Sequence, residues 1–278
     1  MNRNTAASCL ALLLCMFALS IHRPLVASDK TLSFGIVPQQ TSTKLAKKWV
    51  PLINLLNRAT GYSIIFSTAP DIPAFEERLN AGEYDLAYMN PYHYTVYHDS
   101  PGYNAFAKQA NKKIKGILVA RADTEFQNIT DLNNKIIAFP APAAFAATLL
   151  ARSHLDNLNI TYTPKFVSSH DSVYRAVSGG FADAGGGIYR TLYSMDDDIE
   201  SQLKVIWESS GFTPHAFASH QRLDASIVSN IQDALINLGD SAEGKLILNK
   251  LKMGGIQKAQ NSDWDDVRKL NIRILQDQ

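Results

Sequence analysis

Cysteine is almost missing from this chain. There are 2, Cys9 and Cys15, and both lie within the first 28 residues. From Asp29 onward there is none, which excludes a disulfide framework, a thiolate nucleophile and a cysteine-ligated metal site there. Acid is missing from the start: no Asp or Glu precedes Asp29. A long apolar run is missing too. Ala6 to Ile21 is mostly apolar but short and broken, and a membrane span needs about 20 apolar residues. With Arg3 ahead of it and Val26-Ala27-Ser28 behind it, residues 1–28 read as a cleaved signal peptide; an uncleaved anchor is the alternative. Neither cysteine follows a lipidation pattern, so the expectation is a soluble periplasmic or secreted protein.

An excess of either charge is lacking as well. The whole chain has 27 Lys+Arg against 26 Asp+Glu. Without Arg3 and Arg23 the count is 25 against 26, net −1. Nucleic-acid and membrane-surface partners favour a basic excess, so neither is expected. Catalytic and metal signatures are also absent. There is no H-E-x-x-H and no G-x-S-x-G, and His93 and His98 are off the i,i+4 spacing of paired helical ligands. The chain is therefore expected to be no enzyme and to need no cofactor or metal.

What remains is strand–helix alternation. Leu32–Val37 reads as a strand, Thr41-Ser42-Thr43 as a helix cap, and Leu45, Trp49, Leu52 and Leu56 as one apolar helix face, kinked at Pro51 and closed by Gly61. Ser63–Phe66 and Asp85–Met89 are further strands, with a helix at Ile72–Asn80 between them. A second alternation runs through strands Lys115–Ala120, Lys135–Phe139, Thr161–Val167 and Ala182–Gly185, with a helix to Leu158 and another at Ser172–Ser178. Leu203–Trp207 leads out, and Ile227, Ile231, Leu235 and Leu238 share a helix face in the tail. Roughly 250 residues after the leader suit two domains. The expected fold is α/β with parallel sheets: a first lobe from 29–118 and 210–278, and a second, inserted lobe from 119–209. The crossover strands near 115–121 and 203–209 would be the hinge.

Candidate binding residues sit where strands end, the place ligands take in open α/β sheets. The chief one is Phe139-Pro140-Ala141-Pro142-Ala143-Ala144-Phe145-Ala146-Ala147-Thr148. Pro142 fits a first helical turn, and the backbone N–H groups of Ala143, Ala144 and Phe145, with Thr148 one turn on, would face an anion. A well-packed helix start without a ligand is the alternative. Tyr92 and Tyr94, after Asn90-Pro91, are either hydroxyls gripping an oxyanion or core tyrosines. Gln39 and Gln40 are amide donors or plain loop polarity. His170 is a ligand contact or a structural histidine; Asp171 reads first as a helix cap. Gly185-Gly186-Gly187 is a turn after a strand, with Gly186 approaching the ligand or serving packing alone. His215, after Pro214, would close the site from the other side.

These motifs resemble the PhnD-like phosphate/phosphite/phosphonate periplasmic solute-binding proteins. They are similar to a branch with a V-P-Q-Q start, an N-P-Y-H-Y loop, an F-P-A-P-N-A-F-A-A-S helix entry, an H-D-S-V turn and an A-G-G-G-V-x-R-T-L strand end. They fall on Val37–Gln40, Asn90–Tyr94, Phe139–Thr148, His170–Val173 and Ala184–Leu192. The resemblance spans essentially everything after the leader. It implies a type II periplasmic binding fold, two lobes closing on a small anionic solute, and delivery to an ABC permease; relatives also serve as input domains of membrane sensor proteins. It also implies binding roles for Tyr94 and His170. Two positions depart from the family. Its phosphonate-holding Ser-Thr-Ser run falls on Pro142, Ala143 and Ala144, which leaves backbone donors alone. The acidic residue that faces an aminoalkylphosphonate's ammonium falls near His215, which argues against such a ligand. A carboxylate, sulfonate or apolar-tailed solute is the alternative to a phosphorus oxyanion. A monomer is expected.

Overall fold

A computed structural model describes residues 31–275. The expected signal peptide, both cysteines and the start of the first lobe at Asp29 lie outside the described residues.

Two sheets carry the chain. The first has the order β11-β4-β10-β3-β1-β2, with β1 Leu32–Ile36, β2 Ile64–Ser67, β3 Leu86–Met89, β4 Tyr103–Gln109, β10 Ala216–His220 and β11 Ile256–Lys258. The second has the order β7-β6-β8-β5-β9, with β5 Gly116–Arg121, β6 Lys135–Phe139, β7 Tyr162–Phe166, β8 Ala184–Ile188 and β9 Leu203–Glu208. In each, the three strands of the strand–helix units run parallel and the returning strands run antiparallel. The chain passes between the sheets at 110–115 and 209–215, where Ile114 and Phe212 exchange backbone hydrogen bonds of 2.8 and 2.9 Å. The expected crossover strands, near 115–121 and 203–209, are instead a paired β5–β9 edge inside the second sheet. The passages lie just before and just after them.

Local chemistry sets the helices that aim the strand ends. Helix α1, Ser42–Thr60, starts on the Thr41 hydroxyl, runs on through Pro51 and stops at Gly61 in the left-handed region, φ 74°. Its buried face is Leu45, Trp49, Leu52, Ile53 and Leu56. Helix α2 spans Ile72–Asn80. Asn90-Pro91, expected as a loop, opens helix α3, Pro91–Tyr97: Pro91 takes the first position and the Asn90 side chain accepts from His93 N at 2.8 Å. The helix entry after β6 also differs from expectation. Pro142 and Ala143 form a turn, and Phe145–Leu149 is a π-helical turn that runs on into α4, Leu150–Asn157. Helix α5, His170–Ser178, is capped by Ser169, and the short α6, Tyr189–Leu192, follows β8 directly.

The three glycines Gly185–Gly187 lie within β8 and form no turn. They are there for close packing. A Cβ on Gly186 would stand 2.0 Å from the carbonyl oxygen of Ala147, and one on Gly116 of β5 would stand 2.0 Å from that of Ala146. The π-helical turn therefore lies flat on the second sheet only because two strand positions have no side chain. Gly186→Ala is expected to destabilise the protein by about 1–3 kcal/mol through overpacking against backbone, read as a lower midpoint in thermal unfolding. An unchanged midpoint would contradict this packing.

Candidate functional site

The carboxyl ends of β1, β3, β6 and β8 converge where the sheets face each other. From the first sheet come Gln39 and Gln40 after β1, Tyr88 in β3, and His215 just ahead of β10. From the second come the π-helical turn, His170 and Asp171 at the start of α5, and Arg190 in α6. Backbone and side chain join the two sides. The Gln39 carbonyl accepts from His170 N at 3.0 Å, Gln40 Nε2 donates to Asp171 Oδ1 at 3.1 Å, and Asn90 Nδ2 donates to the Ala143 carbonyl at 3.3 Å. Lys44 Nζ stands 3.4 Å from Asp171 Oδ2. Asp171, expected as a helix cap, is therefore a bridge across the cleft, since Ser169 already caps α5.

Arg190 supplies the charge. Its guanidinium donates to Gln39 Oε1 at 2.8 Å and to the Tyr88 hydroxyl. No carboxylate pairs with it among the described residues. A guanidinium has five N–H donors, so several are free for an anion. Because Gln39 spends its oxygen on Arg190, its amide nitrogen faces His215 Nε2, 3.1 Å away. That nitrogen must accept, which places the proton of His215 on Nδ1 and leaves the ring neutral. The ring stacks on Tyr88 with centroids 5.0 Å apart. Burial, then the nearby Arg190, holds His215 well below the usual histidine range. The same two causes lower His170 to about 3, and its Nδ1 lies 3.2 Å from Thr191 Oγ1. Burial also draws down Lys48, to about 8, where it donates to Gln40 Oε1 at 2.7 Å.

The backbone donors sit further along than expected. Ala144 N donates to the Ala141 carbonyl at 3.3 Å, and the first helical bond comes from Thr148 N to the Ala144 carbonyl at 2.8 Å. That leaves the N–H groups of Phe145, Ala146 and Ala147 as the first-turn donors. They border a space of about 10 Å³, shared with Gln39, His170 and His215, which is about one water's worth. A second space of about 20 Å³ lies between Gln39, Gln40, Trp49 and Arg190. The third is larger, about 530 Å³, and adjoins both through Tyr88, Ile114, Ile188, Arg190 and His215.

The structure thus brings together Gln39, Gln40, Ala144, Phe145, His170, Asp171 and His215. Others stand elsewhere. Ala143 faces Asn90 through its carbonyl. Thr148 donates its hydroxyl to the Ala141 carbonyl at 2.8 Å and so locks the turn. Gly186 lies under that turn. Tyr92 and Tyr94 are core tyrosines: the first accepts from Leu275 N at 2.9 Å, while the second packs on Trp264 and donates to Asn261 Oδ1 at 2.9 Å. A buried phenol needs a partner, and each finds one in the C-terminal segment, away from the cleft. Tyr88 and Arg190 are the site residues that sequence reasoning missed. Arg190 had a signal, an arginine two residues beyond a strand end; Tyr88 had none beyond its place in β3. Among the described residues no group of three His, Asp or Glu is placed to hold a metal, and no helix is long and apolar enough to cross a membrane.

Comparison with known proteins points the same way. Residues 34–264 match the family described as ABC transporter, phosphonate, periplasmic substrate-binding protein. The chain is 24% identical over 309 residues to the phosphate-import protein PhnD of Mycolicibacterium smegmatis, covering 95% of this chain and 93% of that protein. Its fold is similar to that of PhnD1 from Prochlorococcus marinus in complex with methylphosphonate, with a TM-score of 0.79, 17% identity, and coverage of 87% of this chain and 98% of the other. It is similar also to a binding protein component of an ABC phosphonate transporter from Pseudomonas aeruginosa, with a TM-score of 0.77, 18% identity, and coverage of 87% and 85%.

Proposed function

The chain belongs to the family of periplasmic substrate-binding proteins of phosphonate ABC transporters, and from that premise we propose that it clamps a phosphorus oxyanion between its two sheets and presents the closed form to a membrane permease. One observation carries the ligand's charge: Arg190, with no carboxylate partner among the described residues, holds Gln39 and Tyr88 across the cleft, and Gln39 and His215 in turn border the space that the first-turn residues Phe145–Ala147 line. The one carboxylate gathered there, Asp171, is spent on Gln40 and Lys44, which leaves the Arg190 guanidinium as the charge facing an anion. The missing Ser-Thr-Ser hydroxyls are replaced by backbone N–H groups and by Arg190. His215, uncharged and buried, offers no counterion for an ammonium, which favours phosphate, phosphite or a phosphonate without an amino group.

The cleft works as a clamp. The two short passages at 110–115 and 209–215 serve as the hinge, and the lobes divide there. An anion that reaches donors from both sheets binds the closed arrangement better and shifts the population toward it. Preference for the closed form by ~10⁴-fold takes a mostly open protein to mostly closed. Export through a cleaved leader places the protein in the periplasm, where it acts as a binder with no turnover.

Calorimetry against phosphate, phosphite and methylphosphonate is expected to give saturable binding of at least one at a single site. Heat of binding from none of the three would overturn the proposal. His170→Ala is expected to weaken that binding by ~1.5–3 kcal/mol, the range for a hydrogen bond to a charged ligand. An unchanged affinity would remove His170 from the ligand's shell.

A further inference from the structure

With the lobes closed, the space beside the anion donors is very unequal. The two pockets against Gln39, His170 and the π-helical turn hold about 10 and 20 Å³, while the cavity on the passage side holds about 530 Å³. Arg190 and His215 border this cavity too, so any group attached to an anion at Arg190 has one direction with room for it. A methyl group would leave nearly all of that volume unused.

The walls say what kind of group fits. Tyr88, Tyr189 and Tyr193 border the cavity. Tyr189 and Tyr193 stack with centroids 5.6 Å apart and ring planes 29° from parallel. Tyr189 is fixed there, because its hydroxyl donates to Glu208 Oε2 at 2.8 Å. Tyr193 is 51% exposed, a large aromatic left uncovered beside an opening. Two of the three rim lysines are already neutralised, and the third, Lys112, is exposed to solvent. Lys113 is paired with Asp266 at 2.9 Å and Lys115 with Glu208 at 2.5 Å.

We propose that the ligand is a monosubstituted organophosphorus anion with a planar, uncharged substituent of aromatic size. Its phosphorus group sits at Arg190, and its ring lies in the passage-side cavity against the Tyr189–Tyr193 pair. The inference rests on the oxyanion reading above and narrows it to a substrate class.

The test compares phenylphosphonate with methylphosphonate by calorimetry, on the full chain and on Tyr193→Ala. Tyr193 is half exposed, so its removal leaves the core intact. Phenylphosphonate is expected to bind roughly tenfold tighter than methylphosphonate, in line with aromatic stacking added to area burial. In Tyr193→Ala the ratio of the two affinities is expected to fall several-fold. Equal or tighter binding of methylphosphonate overturns this inference and leaves the oxyanion reading standing. So does a phenyl preference that survives in Tyr193→Ala. Failure of both compounds to bind overturns this inference; the oxyanion reading stands if phosphate or phosphite binds in the same titrations and falls with it if neither does.

Discussion

Arg190→Ala is expected to lower affinity for the oxyanion by roughly 100-fold or more, the cost of removing a charge-assisted donor from a partly desolvated site. The protein should remain folded. Arg190 is only half-buried, and the contacts it gives up, to Gln39 and the Tyr88 hydroxyl, tie the lobes together, while the Tyr88 ring keeps its packing on Trp49 and Phe217. Arg190→Lys should fall between the two. It keeps the positive charge but cannot reach Gln39, Tyr88 and an anion at once, because a lysine ammonium lacks the planar fork. Titration calorimetry of the three proteins reads the series directly. Equal affinity in wild type and Arg190→Ala would mean that the anion does not use this guanidinium.

Acid should weaken the fold well above the carboxylate range. His170 and His215 are buried and neutral, with His170 lowered to about 3 and His215 well below its ordinary value. In the unfolded chain both titrate near 6.5. Above that pH neither state binds the proton and the two histidines leave stability unchanged. Below it the unfolded state takes up protons that the folded state refuses. Stability then falls by about 1.4 kcal/mol per pH unit for each such histidine, for His170 until the pH nears its folded value. The lowered carboxylates Asp85 and Asp266 contribute only further down, as pH drops through the ordinary carboxylate range. Urea unfolding at pH 7.5, 6.5, 5.5 and 4.5 is expected to show a loss that begins between the first two and steepens below 6.5. A flat stability from 7.5 to 5.5 would mean that both rings accept protons in place.

Much of the framework could be read from residue order. Thr41, Gly61 and the apolar stripe of α1 act through local rules, so the helix and both its ends were visible. Ile72–Asn80 and Lys135–Phe139 match their expected bounds for the same reason. Helix α3 was hidden because Pro91–Tyr97 is buried on nearly all sides and has no polar face to give it a period. The glycines of β8 were misread because a glycine run looks alike as a turn and as a strand under a close-packed helix. Only the Ala147 carbonyl, 39 residues away in sequence from Gly186, distinguishes them. The π-helical turn is likewise a tertiary feature.

The candidate site was legible in its location and less so in its chemistry. Strand ends pointed to Gln39, Gln40, His170 and His215, and the structure gathers all four. The amides lie one to two residues beyond the expected ones, since Ala144 spends its N–H on the turn that Pro142 begins. Tyr92 and Tyr94 followed a strand end as well, but a helix there turns their hydroxyls toward the C-terminal segment. Arg190 and Tyr88 needed the fold, because only the facing of two sheets sets an arginine after β8 against a tyrosine in β3.

The most direct test is a crystal structure of the protein grown with methylphosphonate, the smallest organic member of the ligand class. The phosphonate oxygens are expected within about 2.8 Å of the Arg190 guanidinium, with N–H groups of Phe145–Ala147 donating from the second sheet and Gln39 or His215 from the first. A phosphonate bound anywhere else, or a cleft in which Arg190 still holds only Gln39 and Tyr88 at ligand concentrations that saturate the protein in solution, would contradict it.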